Sequence, residues 1–133
     1  MKARDVMPVP TEERECDTLI VWRDLQLGRW PELALLYHTA NEGKRTPQMG
    51  ARLKAMGMRP GVSDYFLPVA RGGSHGLWIE MKRVRGGRVE PEQAQWIDSM
   101  LRQGYAACVC RGADEAIKVI EDYMRGRRDE RDG

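Results

Sequence analysis

The sequence predicts an α/β domain: a small mixed β-sheet flanked by helices, in the order α-β-α-β-β-α-β-α. Two patterns indicate this class. Residues 76–82 alternate apolar and polar side chains, which is typical of a strand with one buried face. Other stretches repeat apolar residues at helical spacing after a capping residue such as Thr11 or Thr46. With 133 residues, 41% of them hydrophobic, the chain can form one core.

Four helices are predicted from these caps and apolar stripes. Acidic residues follow Thr11, and Thr46 precedes a proline, which is a frequent first helical residue. The predicted helices cover residues 11–28, 46–57, 91–103 and 113–125. The methionine-rich second helix is expected to bury its apolar side in the core, with a dimer surface as the second choice.

Four strands are predicted, and two of them form a hairpin. The predicted strands are residues 33–39, 64–69, 76–82 and 105–110. A glycine-rich connection joins the middle pair, so paired residue numbers should sum to about 146, give or take two. Asp64 would then lie opposite Lys82 or close by, and Phe66 opposite Glu80. Because Asp64, Glu80 and Lys82 share parity, we expect them on one face of the sheet when the paired numbers have an even sum; a slip of one residue would separate them.

The composition fits one cytoplasmic domain. The formal charge is only +2, and most basic side chains are arginine, which suits bidentate phosphate contacts. Three cysteines without CxxC spacing argue against a disulfide framework or a zinc site. No apolar stretch approaches the ~20 residues of a membrane span, and residues 1–5 lack the apolar region that a signal peptide would have. We expect an irregular lead-in over residues 1–10, the domain over 11–125 and a charged tail over 126–133.

Asp64, Glu80 and Lys82 form the candidate site. Carboxylate oxygens are ligands that Mg²⁺ or Mn²⁺ prefers, and the main-chain carbonyl of Met81 is near enough to join them. Such an ion polarises a phosphate, while Lys82 can orient a water or offset charge in the transition state. The alternative interpretation is a plain ion pair, in which the two acids neutralise Lys82 on a solvated sheet face.

Several segments follow one another in the order of a known family. They are residues 41–45, 51–57, 60–64 (Pro-Gly-Val-Ser-Asp), 79–82 (Ile-Glu-Met-Lys), 90–93 (Glu-Pro-Glu-Gln) and 104–105 (Gly-Tyr). Together they resemble the virus-type replication–repair nuclease domain, VRR-NUC. This is a branch of the PD-(D/E)xK restriction-endonuclease-like superfamily, whose fold the resemblance implies. The similarity covers about residues 11–124.

The resemblance implies a metal-dependent phosphodiesterase that acts on DNA. Asp64 and Glu80 would bind Mg²⁺ or Mn²⁺, and Lys82 would orient the attacking water. Gln93 would lie on the following helix, near the scissile phosphate. From their place in loops that flank the site, six polar or basic residues are candidates for contacts with the DNA backbone, with solvated loop charge as the alternative: Asn41, Lys44, Arg45, Arg83, Arg85 and Arg88.

A further acid from the first helix would strengthen the metal site, and the sequence offers Glu12 and Glu15. The resemblance favours Glu12, because the family usually has a Gln four residues after this acid. Cys16 stands at that place here, so both glutamates stay candidates. Ser63 is a second departure, since the family usually has Pro or another residue before the aspartate, but it removes no ligand.

The resemblance is to phage and bacterial members of similar size, which implies a homodimer that cleaves branched DNA such as four-way (Holliday) junctions. The protein would then act in the cytoplasm of a bacterium or of a phage-infected host cell. The alternatives are a catalytically silent DNA-binding or scaffold domain, and a flap or restriction-type nuclease. One or two metal ions would fit equally well with the sequence.

Overall fold

The computed structural model describes residues 8–39 and 46–126. Within these ranges the helices are α1 (Glu12–Leu25), α2 (Pro47–Ala55), α3 (Pro91–Arg102) and α4 (Ala113–Met124). The strands are β1 (Tyr37–His38), β2 (Tyr65–Leu67), β3 (Leu77–Lys82) and β4 (Ala106–Arg111). The α/β class and the order of elements are therefore as predicted. The predicted caps also form, since Thr11 Oγ1 accepts from Arg14 N–H and Thr46 Oγ1 from Met49 N–H.

The prediction of a strand over residues 33–39 is wrong in its first half. Pro31–Leu35 forms a 3₁₀ helix, and β1 covers only two residues after it. Leu33 and Leu36, three apart, are both buried, whereas Leu35 and Tyr37 are exposed. This spacing of three suits a 3₁₀ turn, because its side chains at i and i+3 lie on the same side.

The four strands form one sheet in the order β1-β2-β3-β4, within the part of the chain that the structure describes. The first three strands are antiparallel, and β4 runs parallel to β3 after the crossover through α3. Tyr65 pairs with Ile79, and Phe66 pairs with Trp78 rather than with Glu80 as expected. The paired residue numbers sum to 144, which lies within the predicted range and two below its centre. A shift of two preserves the side-chain faces, so the shared face of the candidate residues survives.

The two faces of the sheet have different partners. Leu19 of α1 and Ile120 of α4 are buried with Ile79 and Met81 in one apolar core. On the opposite face Trp78 stacks on Phe66, with ring centroids 4.1 Å apart, and meets Trp96 of α3 edge to face. The candidate site residues of β3 therefore lie on the α3 side. No helix within the described residues is long and apolar enough to cross a bilayer.

The expectation that α2 joins the core is wrong. None of its residues is buried, and the side chains of Met49 and Met56 are 49% and 71% exposed. Its nine residues also carry Arg52 and Lys54, which favour water over a core. The second choice, a dimer surface, stays a prediction.

Candidate metal centre

Three carboxylates converge at the end of the central hairpin. Glu12, Asp64 and Glu80 each offer an oxygen, and these oxygens lie within 4.8 Å of one another. Ligands of an octahedral Mg²⁺ ion lie about 3 Å apart when adjacent and about 4 Å apart when opposite, since each Mg–O bond is about 2.1 Å long. Rotations of these side chains that bring the oxygens closer together would gather all three around one ion.

The position of Asp64 depends on backbone contacts from two strands. Its Oδ2 accepts a hydrogen bond of 2.7 Å from the Met81 N–H of β3. Its own carbonyl accepts one of 2.8 Å from the Thr39 N–H, just after β1. The Thr39 hydroxyl donates to the neighbouring Ser63 carbonyl, also at 2.8 Å. Asp64 is only 2% exposed, so these bonds fix its carboxylate in an interior position.

Glu80 is held from two sides. Lys82 Nζ lies 3.4 Å from Glu80 Oε2, and Gln93 Nε2 donates to the same oxygen at 3.1 Å. Gln93 Oε1 accepts from the Glu90 N–H at 2.9 Å, which completes a capping box at the start of α3. The capping bond decides which end of the Gln93 amide faces Glu80.

The charge of the cluster suits a divalent cation. With every group ionised, the carboxylates of Glu12, Asp64 and Glu80 outweigh the single ammonium of Lys82. Uncompensated negative charge in a buried position is costly, and a bound cation removes that cost. Hard oxygen donors also select Mg²⁺ or Mn²⁺ over softer metals. The residues present therefore fit a divalent metal ion.

Comparisons with known proteins identify the family of this chain. A family model described as the VRR-NUC domain matches residues 11–114. The chain belongs to the VRR-NUC family. One solved structure, described as "VRR_NUC domain protein", is 29% identical, has a TM-score of 0.77 and is matched over 90% of this chain and 92% of that one. A search of curated proteins finds no significant match.

In this VRR-NUC domain the two candidate glutamates of α1 have different contacts. Glu12 lies with Asp64 and Glu80, while Glu15 Oε2 accepts the Ala113 N–H at the start of α4. Glu15 thus caps a helix, where a carboxylate is favourable against the helix dipole. No side-chain cap comes from Gly112, the residue before α4.

A matched pair of variants tests this separation. We expect Glu12→Ala to weaken Mn²⁺ binding by about tenfold or more, because a charged ligand is lost. Glu15→Ala should leave Mn²⁺ binding unchanged but cost about 1 kcal/mol of the free energy of unfolding, because α4 loses its cap. Titration calorimetry and urea unfolding measure the two quantities. Weaker Mn²⁺ binding in Glu15→Ala, together with lower stability in Glu12→Ala, would make Glu15 the metal ligand and Glu12 the helix cap.

Cys16, which stands where the VRR-NUC family usually has Gln, is half-buried, packs against the core and hydrogen-bonds with the Tyr65 side chain. Burial is the main reason why the pKa of the Tyr65 hydroxyl is raised, and its hydrogen bond with Cys16 and the charge of Asp64 add to this effect. The phenol therefore stays neutral at physiological pH.

The residues expected to contact DNA fall into three groups. Asn41, Lys44 and Arg45 lie outside the described residues. Arg85 and Arg88 are both exposed in the loop after β3. The Arg88 guanidinium pairs with the Glu90 carboxylate at 3.2 Å, and this hydrogen bond raises the pKa of Arg88.

Arg83 contacts the segment that leads into α1, and its contact with DNA stays a prediction. Its guanidinium donates to the carbonyls of Val9 at 3.0 Å and Pro10 at 3.4 Å. Arg111 in turn donates to the Arg83 carbonyl at 3.3 Å. Arg83 therefore braces the chain just before Glu12. The sequence carries no signal for this contact, because main-chain carbonyls more than seventy positions away accept the bonds.

Proposed function

We propose that this VRR-NUC domain is a Mg²⁺- or Mn²⁺-dependent endonuclease that hydrolyses phosphodiester bonds in branched DNA, with four-way junctions as the preferred substrate. The family implies DNA nuclease activity. The observation that carries the proposal is the convergence of Glu12, Asp64 and Glu80 beside Lys82. A merely structural ion pair needs one carboxylate for one ammonium, whereas this cluster has more acids than its lysine can balance.

The metal ligands in this proposal are Glu12, Asp64, Glu80 and the Met81 carbonyl. The Lys82 carbonyl accepts a hydrogen bond from the Gly112 N–H, on the β4 side. Successive residues of a strand point their backbone groups to opposite edges, so those of Met81 face β2, where its N–H meets Asp64. Its carbonyl then faces the same edge as the carboxylates. When bound, the ion supplies Lewis acidity toward the scissile phosphate.

Lys82 and Gln93 have separate tasks in the reaction. In hydrolysis a water adds to phosphorus, one P–O bond breaks and the leaving oxygen takes a proton. The Lys82 ammonium is placed to orient that water and to offset the negative charge that develops on the phosphorus-bound oxygens. Gln93 is a catalytic candidate near the phosphate, and its hydrogen bond to Glu80 keeps that carboxylate in position.

DNA contacts beyond the metal centre are assigned to the loops around it. The loop after β3 carries Arg85 and Arg88, both exposed, within a few residues of Lys82. Arginine side chains on such a loop suit backbone phosphates and position the duplex without reading its sequence. Asn41, Lys44 and Arg45 stay predictions of the same kind, as does the cytoplasmic location.

Cleavage of matched substrates tests the proposed function. A fluorescent four-way junction, a flap and a linear duplex that share their sequences are incubated with Mn²⁺ or with EDTA. We expect Mn²⁺-dependent cutting of the junction at least about tenfold faster than of the duplex, and no cutting with EDTA. Faster cutting of the flap would move the preference to flaps, and a single cut at one duplex sequence would indicate a restriction-type enzyme. No cutting of any substrate would leave a DNA-binding or scaffold domain.

A homodimer is the second part of the proposal, because two sites related by two-fold symmetry can cut two strands of a junction. The support is two exposed methionines, Met49 in α2 and Met56 directly after it, which lie seven positions apart and so on one side of the helix. We expect sedimentation equilibrium at micromolar concentration to give a dimer. Met49→Glu/Met56→Glu should shift it to monomer, while Val21→Glu on α1, equally exposed, should not. A monomeric wild type at these concentrations contradicts this part alone.

A further inference from the structure

Gly61 lies in direct backbone contact with the first turn of α3. Its φ is +88°, in the region that favours glycine. A Cβ on this residue would lie 2.5 Å from the carbonyl carbon and oxygen of Glu92 and 2.7 Å from the Glu92 Cβ. Carbon atoms in contact normally stay about 3.5 Å or more apart. Because two of the crowded atoms are backbone, no side-chain rotation can relieve the overlap.

The two sides of this contact carry different parts of the metal centre. Gly61 precedes Asp64 by three residues, on the segment that enters β2. Glu92 is the neighbour of Gln93, whose Nε2 donates to Glu80 at 3.1 Å. The contact therefore links the segment of one carboxylate to the helical turn that holds the other.

We propose that Gly61 is a positioning residue of the metal centre, which acts through Gln93. Its close approach to Glu92 sets the distance between the Asp64 segment and α3. A methyl group at position 61 would push the two apart by about 1 Å, judged from ordinary carbon contact distances. The Gln93–Glu80 hydrogen bond of 3.1 Å cannot stretch that far and survive. The effect on cleavage rests on the proposed function, whereas the effect on Gln93 does not.

Gly57 is a matched control in the same connection between α2 and β2. Its φ is +102°, and a Cβ there would meet nothing within 4 Å. Gly57→Ala and Gly61→Ala therefore share the strain of a positive φ, but only Gly61→Ala collides with α3. The difference between the two variants isolates the contact.

The test compares wild type, Gly57→Ala, Gly61→Ala, Gln93→Ala and the double variant Gly61→Ala/Gln93→Ala in Mn²⁺-dependent junction cleavage. We expect Gly61→Ala to lower kcat by about tenfold with KM unchanged, as for loss of a residue that supports a ligand. Gly57→Ala should stay within about twofold of wild type. The double variant should be no slower than Gln93→Ala, because both changes remove the same bond. Equal rates for the two glycine variants, or additive losses, would overturn the proposal.

A second readout needs no cleavage. The side-chain NH₂ signals of Gln93 in an ¹⁵N-correlated NMR spectrum report its hydrogen bond to Glu80. We expect them to move in Gly61→Ala and to stay in place in Gly57→Ala. If wild type cuts no DNA, the proposed function fails, and this spectrum still decides the role of Gly61. An unfolded Gly61→Ala beside a folded Gly57→Ala would also overturn the proposal, because the contact would then hold the fold rather than the site.

Discussion

Asp64→Asn is expected to reduce metal-dependent cleavage by about a thousandfold or more, a loss of about 4 kcal/mol of transition-state stabilisation. The carboxylate lies with those of Glu12 and Glu80, so the neutral amide removes one charged ligand. The fold should survive, because the Asn carbonyl can still accept the Met81 N–H. Asp64→Ala removes that acceptor and should cost about 1–3 kcal/mol of stability, because a buried amide is left unpaired.

The measurements are cleavage of the four-way junction, Mn²⁺ binding by calorimetry and urea unfolding. Asp98→Asn is the matched control, since Asp98 is exposed on α3 and pairs with Arg102 at 2.8 Å. An exposed pair of this kind contributes about 1 kcal/mol at most. Cleavage by Asp64→Asn at the wild-type rate would remove Asp64 from the proposed ligands.

Lys82→Ala is expected to slow cleavage by about a hundredfold to a thousandfold while Mn²⁺ binding is kept or tightened. The ammonium lies 3.4 Å from Glu80 Oε2, where it repels a cation bound to the same carboxylate. Its removal therefore favours the ion. The transition state loses a buried positive charge, which is the larger effect on the rate. Metal affinity and rate thus move in opposite directions for Lys82 and together for Asp64.

Lys118→Ala is the control for this variant. Lys118 is exposed on α4 and pairs with Asp122 at 3.0 Å, so its loss should change neither the rate nor Mn²⁺ affinity. Rates are compared at saturating Mn²⁺, so that weak metal binding cannot imitate a catalytic defect. If Lys82→Ala cuts as fast as wild type, the lysine is a counter-charge for Glu80 and has no part in the reaction.

Local sequence patterns predicted most of the fold. The caps at Thr11 and Thr46 and the alternation in β3 depend on neighbours within a few positions, so they can be read without the tertiary structure. The prediction of the first strand was wrong because it depended on contacts with distant residues. An apolar run such as residues 33–39 fits either a strand or a 3₁₀ turn, and burial of Leu33 and Leu36 in the core decided between them.

The parity of Asp64, Glu80 and Lys82 predicted one shared face of the sheet for any hairpin register with an even sum. The observed sum of 144 is even, so the prediction did not depend on the exact register. Which glutamate of α1 joins them was decided only by the tertiary structure. Glu12 and Glu15 are three apart and thus neighbours on one helical face, and no local pattern separates them. The N-terminus of α4 separates them. Its Ala113 N–H donates a hydrogen bond to Glu15, whereas Glu12 lies beside the carboxylates of Asp64 and Glu80.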